Sequence, residues 1–503
     1  MIVRAICARP VVVTLMLLLG GCTVGPDFVR PAPPGVTRYT PTAPAPSAPA
    51  AIVLAGESQR LVEGEDIPAG WWQLFNSPAL NALVERALRA NPGLKSAEAA
   101  LTVAHENLLA QRGAYFPTVS ASMAASRSKT SAELSPTPSS GALLFNLFTP
   151  EVSVSFVPDV FGLNRRLVES LHAAEQQTRF ELTASYLALT ANVVVAALQE
   201  AGLREQIRTT HELMAASNSS LEVLREQHAR GYASRLDVMA QEAQLAQVNA
   251  TLPPLLKQLA QQRDLLAALC GAFASEGLPE EFTLSQLQLP QELPLSVPSR
   301  LIEQRPDVRQ AEENLHIASA QIGVAVANRL PNFTITADIG ASATMLSGLT
   351  SNDAGFWDLG AQITQPIFQG GSLMHKERAA RAAYVQANEQ YRSAVIAAFQ
   401  NVADTLAALQ HDADALRAAA ASATAAAATR DVVRAQQRAG YVGYLQLLSA
   451  EQTYQTAVLA QVQAQTNRFT DTAALFQALG GGWWNRGDPR MGDLAGSARP
   501  AAP

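Results

Sequence analysis

The sequence predicts an α+β membrane protein that is built from a duplicated helix-strand-strand-helix repeat. Three observations support this fold class: an export signal at the amino terminus, two halves with matching sequence order, and four strand segments in which apolar and polar residues alternate. Very long segments of helical periodicity separate the strands, which is unusual for a compact soluble domain.

The first residues have the composition of an export signal. Two arginines precede an apolar run over residues 11–19, and two glycines come directly before Cys22. The run is shorter than the roughly 20 residues of a spanning helix. We therefore predict a signal peptide over residues 1–21, whose end resembles a lipobox, with diacylglyceryl and N-acyl groups on Cys22. The alternative is an ordinary signal peptide followed by an incidental cysteine.

The composition argues against an enzyme, a metalloprotein and a nucleic-acid-binding protein. The net charge is −6 over 503 residues without basic clusters, so no surface is expected to attract nucleic acid. The 7 histidines form no His-Glu-x-x-His motif and are predicted on helix surfaces, and no Gly-x-Ser-x-Gly motif occurs. Besides Cys22 and one cysteine in the signal, only Cys270 remains, so no intramolecular disulfide is expected. We predict no catalytic residue, no metal and no cofactor beyond the covalent lipid.

An internal duplication organises the chain. Residues 90–98 align with 304–312, and the same offset pairs Pro117 with Pro331. At a slightly smaller offset, residues 159–162 align with 366–369, and Gly231-Tyr232 aligns with Gly440-Tyr441. The predicted order is a Pro-rich, lipid-anchored linker over 22–70, a first repeat over 71–285, a second over 286–482, and a disordered tail over 483–503.

Four strands are predicted at about residues 115–127, 148–160, 331–345 and 356–368. In the third, Phe333, Ile335 and Ala337 alternate with polar neighbours. Strands of roughly 10 residues suit a tilted crossing of a bilayer. Four strands cannot close a barrel, and open edges are not tolerated in lipid, so several chains must contribute. Two chains would give eight strands around a filled interior, whereas three would give twelve around a lumen; conduction therefore favours a trimer.

Each repeat also contains two very long helical segments. Residues 163–224 include no proline, and about 60 helical residues extend about 90 Å. The return helices are predicted to follow Gly231 and Gly440, and a break is expected at Pro253-Pro254. A solvated single helix or a coiled-coil scaffold is the alternative interpretation.

Four stretches resemble one known family: residues 22–28, 305–312, 365–371 and 438–450. The chain resembles the outer-membrane factors, the TolC-like channels, and specifically their NodT-type lipoprotein branch. The resemblance implies a homotrimer whose twelve-stranded barrel sits in the outer membrane and continues as a periplasmic α-helical barrel, with an equatorial region near Pro92, Pro253 and Pro306. It also implies passive conduction of drugs or other toxic small molecules from an inner-membrane RND-type transporter and a periplasmic adaptor (membrane fusion protein).

The resemblance places the periplasmic tip at the two interhelical turns. The residues that we expect to contact the adaptor there are Arg230, Gly231, Tyr232, Arg438, Gly440, Tyr441 and Tyr444. Family members often carry carboxylates after the second turn, where rings of like charge narrow the pore. Here the matching positions are neutral, so a less acidic constriction is predicted, with these gate candidates: Arg235, Asp237, Gln446 and Ser449.

Two other functions remain open from the sequence. One is a type I secretion conduit, which belongs to the same class of channel. The other is a periplasmic structural lipoprotein with coiled-coil arms that conducts nothing. The second would require the four amphipathic strands to be buried in a soluble sheet.

Overall fold

The computed structural model describes residues 23–42, 53–129 and 144–486. The predicted signal peptide and Cys22 lie outside these ranges, as does the tail from residue 487. Among the described residues the helices are α1 (Pro78–Ala90), α2 (Pro92–Arg112), α3 (Leu163–Ala229), α4 (Arg235–Leu269), α5 (Pro298–Gln304), α6 (Pro306–Ala327), α7 (Ser372–Arg438) and α8 (Tyr444–Ala478). The strands are β1 (Arg60–Glu63), β2 (Thr118–Lys129), β3 (Leu144–Phe156), β4 (Glu292–Leu295), β5 (Asn332–Ala341) and β6 (Gly355–Thr364).

The duplication is visible in the lengths of the elements. Helices α3 and α7 each have 67 residues, and α4 and α8 each have 35. The same separation of 209 residues relates Leu163 to Ser372 and Arg235 to Tyr444. It also pairs Gly162 with Gly371, which both have φ +82. The sequence alignment of residues 159–162 with 366–369 was therefore wrong by two residues.

The chain divides into two compact units. Of the described residues, the unit that we call the sheet unit comprises 23–31, 101–129, 144–178 and 311–391. The unit that we call the turn unit comprises 32–42, 53–100, 179–310 and 392–486.

The sheet unit contains an antiparallel sheet in the order β2-β3-β5-β6. Its strands have 12, 13, 10 and 10 residues, which confirms four strands but shifts their predicted bounds. Strand β3 ends at Phe156 rather than at residue 160, because Pro158 lacks the N–H that a ladder needs. The register places one row of apolar side chains from all four strands on the same face, through Val119, Val154, Ala337 and Leu359. On that face Met123 is 61% exposed and Ile363 66% exposed.

The turn unit has an aromatic core. Trp71 stacks on Phe476 with ring centroids 5.2 Å apart. Trp483 and Trp484 are also buried, and the Trp483 Nε1–H donates to the Gln304 carbonyl oxygen at 2.7 Å. The prediction of a disordered tail from residue 483 was therefore wrong for residues 483–486. The helical periodicity ends there, but burial of two large apolar side chains stabilises an ordered conformation.

Two further sequence predictions are corrected in the turn unit. Strand β1, inside the predicted linker, pairs in parallel with β4. Its four residues are too few to show an alternation of apolar and polar side chains, so the sequence did not indicate this strand. Helix α4 continues through Pro253 and Pro254 without a break. Both prolines and the residues four positions earlier are exposed, so water can satisfy the carbonyl groups that lose their helical partners.

The proline-started helices agree with the sequence. Pro92 and Pro306 are the first residues of α2 and α6, a position where the missing N–H costs nothing. Among the described helices, only α3 contains a window apolar and long enough to cross a bilayer, and 67% of that window is buried within the protein. Burial on this scale is typical of a core helix.

Candidate functional site: the interhelical turns

The two interhelical turns of the turn unit have the same backbone. In the first, the Tyr232 N–H donates to the Gln227 carbonyl at 2.8 Å and the Gly231 N–H to the His228 carbonyl at 2.9 Å. The second repeats this pattern from Tyr441 and Gly440. Both are Schellman motifs, which need a left-handed residue. The glycines supply it, with φ +82 at Gly231 and +78 at Gly440.

The turns also expose the same apolar side chains. Tyr232 and Tyr441 are each 83% exposed, and Leu236 and Leu445 are 65% and 53% exposed. Single exposed apolar residues are common, but a matched pair at two equivalent turns forms a repeated apolar surface. Such a surface fits a partner that contacts both repeats in a similar way.

The turns differ in charge. Around the first, Arg230 pairs with Glu226 and Arg235 is exposed. The equivalent positions of the second turn hold Ala439, Ala435 and Tyr444. The second turn keeps the exposed Arg438, so a partner would meet more charged side chains at the first turn than at the second.

Tyr444 does not lie on the surface as predicted. It is 8% exposed, and its hydroxyl donates to Oε1 of the fully buried Gln241. Burial, with smaller contributions from Glu451 and Asp237, raises the pKa of the Tyr444 hydroxyl. The prediction that Tyr444 is an adaptor contact is contradicted, because the residue starts α8 with its side chain inside the bundle. The other six predicted tip residues are exposed at the turns.

The gate candidates are placed near the starts of α4 and α8. Asp237 forms a capping box with Ser234, whose N–H and hydroxyl donate to Asp237 Oδ2 at 3.0 and 2.7 Å. Arg235, Gln446 and Ser449 are exposed. Asp237 thus has a structural task in addition to any role in the pore. In the ranges that the structure describes, no three His, Cys, Asp or Glu side chains converge as metal ligands.

Sequence reasoning missed a partly buried polar network that joins the two helix pairs. Gln241 Nε2 donates to the Ser217 carbonyl at 2.7 Å and to its hydroxyl at 2.9 Å. One turn further along, Gln452 Nε2 donates to Gln244 Oε1 at 2.6 Å. Glutamines in an amphipathic helix are ordinarily exposed, so nothing in their spacing indicated this network.

A repeated ion pair could have been found from the sequence. Arg225 pairs with Glu242 at 2.7 Å, and Arg434 with Glu451 at 3.1 Å. Each pair spans the same 17 residues across its turn. The offset that aligns Gly231 with Gly440 also matches Glu242 with Glu451 and Arg225 with Arg434.

An apolar-faced sheet with open edges and paired helices that end in matching turns define a channel-forming membrane protein. The sequence model of the outer membrane efflux protein family matches residues 83–272 and 297–481. The chain therefore belongs to the outer membrane efflux protein family, which confirms the resemblance that the sequence motifs indicated.

Relatives and solved structures agree with this assignment. The chain is 28% identical over 480 residues to the probable efflux pump outer membrane protein TtgC of Pseudomonas putida, covering 93% of this chain and 94% of that protein. It is 28% identical over 477 residues to the outer membrane protein OprJ of Pseudomonas aeruginosa, with 93% and 95% covered. Its fold matches the outer-membrane channel OprN with a TM-score of 0.81 at 26% identity, covering 92% of this chain and 100% of that one. The predicted efflux function and outer-membrane location are confirmed.

We expect Asp237 to influence ion selectivity through its charge. Asp237→Asn keeps an oxygen that can accept from Ser234, whereas Asp237→Ala removes both the charge and the cap, at about 1 kcal/mol of stability. Both variants should lower the cation preference in single-channel recordings, and only the alanine variant should destabilise the turn. An unchanged preference in both would remove Asp237 from the gate.

Proposed function

We propose that three copies of this chain form one twelve-stranded barrel through which toxic small molecules pass passively from a periplasmic adaptor and an inner-membrane RND-type transporter to the exterior. The single observation that carries the proposal is the sheet, whose apolar face is uncovered and whose outer strands β2 and β6 each have an unpaired edge. A single chain in lipid would leave these edges unpaired, and each unpaired backbone group there costs several kcal/mol.

The exposure of the apolar face also separates this proposal from a soluble structural lipoprotein. Such a protein would bury the apolar face of its sheet. Instead Val119 is 68% exposed and Leu359 69% exposed, on the face that Met123 and Ile363 share. This face suits lipid, with the alternate polar residues facing a lumen.

The duplication supplies a register for the contact between copies. Strand β3 of the first repeat pairs with β5 of the second, with Val154 opposite Ala337. The equivalent contact joins β6 of one copy to β2 of the next. The separation of 209 residues also relates β3 to β6, so Ile363 is equivalent to Val154. Strands β2 and β5 have the separation of Pro117 and Pro331, so Met123 is equivalent to Ala337. The proposed neighbours are thus Ile363 and Met123 of the next copy.

This register satisfies the alternation of both strands. It places Ile363 beside Met123 on the lipid face and Gln362 beside Ala124 on the lumen face. A slip by one residue would place polar side chains of one strand beside apolar side chains of the other. The pairing of two exposed apolar residues therefore supports the register.

Cross-linking tests the barrel. The variant Met123→Cys/Ile363→Cys should form covalent trimers in outer membranes under mild oxidation, because opposed residues on neighbouring strands lie within disulfide range. The matched control Met123→Cys/Gln362→Cys presents its thiols on opposite faces and should remain monomeric on denaturing gels. Cross-linked dimers that never proceed to trimers would contradict a three-chain barrel.

The remaining assignments follow from the same proposal. The exposed Tyr232 and Tyr441, with their neighbouring leucines, would contact the adaptor, and Cys22 would carry the lipid. The relatives include proteins named for the efflux of toluene and of antibiotics, which supports small organic toxins as cargo here. We propose no catalytic residue and no cofactor beyond the covalent lipid.

A further inference from the structure

Residues 23–30 follow a defined path across the sheet unit. The Val24 N–H donates to the Phe161 carbonyl at 3.2 Å, in the connection between β3 and α3. Two glycines allow this close approach. A Cβ on Gly162 would lie 2.4 Å from Thr23 Cγ2, and a Cβ on Gly25 would lie 2.4 Å from Gly323 Cα. Residues 23–30 and the surface beneath them therefore fit so closely that one added carbon atom would clash.

Arg166 of α3 holds the first part of this segment. Its side chain is 4% exposed. Nε donates to the Val24 carbonyl at 3.0 Å, and Nη2 donates to the Gly25 carbonyl at 3.2 Å and to Asp27 Oδ1 at 2.9 Å. Glu169 accepts from Nη1 at 2.7 Å. A buried guanidinium that is directed at one peptide segment is a specific recognition element.

Helix α6 holds the second part. Phe28 stacks on His316 with ring centroids 4.3 Å apart and an interplanar angle of 14°. Arg30 pairs at 2.9 Å with Glu312, whose side chain is 4% exposed. His316 is therefore not the exposed helix-surface histidine that the sequence predicted, because the segment covers it.

His316 also connects the segment to pH. Its ring lies 3.1 Å from Glu169 and 3.4 Å from Glu313. Burial alone would lower the pKa of His316, but the hydrogen bonds that its ring donates to Glu313 and Glu169 raise it above its ordinary value. The other charged groups that line the segment are Asp27, Arg30, Arg166 and Glu312.

We propose that Gly162, Arg166, His316 and Gly323 form a docking site for the chain's own residues 23–30, which seats the lipid-bearing residue at the junction of β3 and α3. The lipid part rests on the proposed acylation of Cys22, which is bonded to Thr23, and consecutive Cα atoms are about 3.8 Å apart. The acyl chains then enter the membrane beside the barrel instead of from the end of a loose tether. The docked segment also links α3 of the first repeat to α6 of the second.

A cleavage experiment on the full-length trimer tests the docking without the lipid. The chain carries Cys22→Ser behind a leader that leaves no lipid, a protease site inserted after the exposed Gly35, and a fluorophore on Val29→Cys. Val29 is 79% exposed. The native Cys270 is buried and its pKa is raised to about 11 by that burial, so it should remain unlabelled.

After cleavage, the labelled amino-terminal fragment should stay with the trimer through gel filtration. The double variant Asp27→Ala/Phe28→Ala changes the segment and leaves the docking site intact. Its fragment should dissociate about tenfold faster or more. Pro33→Ala, at an exposed position of the same fragment, is the matched control and should release it at the unmodified rate. Immediate loss of the unmodified fragment, or equal retention of the double variant, would overturn the docking site.

Two further measurements complete the test. The carboxylates that raise the pKa of His316 belong to α3 and α6, whereas stacking of Phe28 adds burial, which lowers this pKa. Docking should therefore favour the neutral ring, and retention should fall as pH is lowered through the pKa of His316; retention that does not change with pH would overturn the role of His316. The mass of the mature amino terminus of the native chain reports acylation separately. An unacylated Cys22 would refute the lipid assignment even if the fragment docks, and a released fragment would refute docking even if Cys22 is acylated.

Discussion

Replacing Tyr444 with phenylalanine is expected to loosen the contact between α4 and α8 at the predicted periplasmic tip, and to make cells permeable to large antibiotics that the outer membrane otherwise excludes. The Tyr444 hydroxyl donates to Gln241 Oε1 inside a cluster with the buried Leu224 and Leu447. Loss of the donor leaves a fully buried amide oxygen unpaired, at about 1–3 kcal/mol. Because that contact joins α8 to α4, each loss of about 1.4 kcal/mol should shift the equilibrium about tenfold toward separated helices and an open tip.

A double-mutant cycle separates this coupling from general damage. Gln241→Leu alone should also open the tip, because it leaves the Tyr444 hydroxyl unpaired. The double variant Gln241→Leu/Tyr444→Phe removes both polar groups and should be less permeable than the sum of the single variants predicts. The measurement is the minimal inhibitory concentration of a glycopeptide antibiotic at equal amounts of trimer. Strictly additive effects would show that the two residues do not act as a pair.

Replacing Arg468 with methionine should have the largest effect on stability. The Arg468 side chain is 1% exposed; its guanidinium donates to the Ala55 carbonyl, to the Glu57 carbonyl at 3.1 Å and to Gln59 Oε1 at 3.0 Å. Methionine fills much of the volume but leaves these acceptors without a donor, so about 3 kcal/mol or more should be lost. We expect a lower dissociation temperature of the trimer and proteolysis near residues 55–59. Arg417→Met, at a solvent-exposed helix pair, should change stability by less than about 0.5 kcal/mol.

The Arg468 effect should also depend on pH. Asp412 lies beside Asp471, and burial, followed by the hydrogen bond with Asp471, raises the pKa of Asp412 to about 7, although the charge of Arg468 lowers it. A carboxyl whose pKa is raised by folding stabilises the protein below its unfolded pKa, and this stability is lost as pH rises through the folded pKa. Without Arg468 the pKa of Asp412 rises further, so stability continues to be lost at higher pH. The destabilisation by Arg468→Met should be larger at pH 9 than at pH 6; equal losses would contradict this coupling.

The repeat architecture was predictable because its signals are local and periodic. A two-residue alternation marks the four strands, and glycines at equal offsets mark the turns at Gly231 and Gly440. Strand ends were less predictable, since the end of β3 before Pro158 depends on backbone hydrogen bonding rather than on the alternation. The alignment of residues 159–162 was wrong because it matched apolar residues of similar type instead of the two left-handed glycines, Gly162 and Gly371.

The parts that depend on tertiary contacts were not predictable. Tyr444 follows a glycine-containing turn, a position where a tyrosine is ordinarily exposed. Its burial depends on Gln241, which lies 203 residues earlier in the chain. The docking of residues 23–30 depends on a single buried arginine and on two glycine contacts. Pro-rich composition obscured it. Composition describes an average tendency of a segment, whereas docking is decided by a few complementary atoms.

The most direct test of the central claim is the ionic current that the purified protein carries across a planar lipid bilayer. A passive outer-membrane duct should give discrete current steps without any energy source, and Tyr444→Phe should give them more often than the unmodified protein. Trimers that insert into the bilayer, show the Met123–Ile363 cross-link in the cysteine variant, and pass no current in either form would contradict the conduction mechanism proposed for this chain.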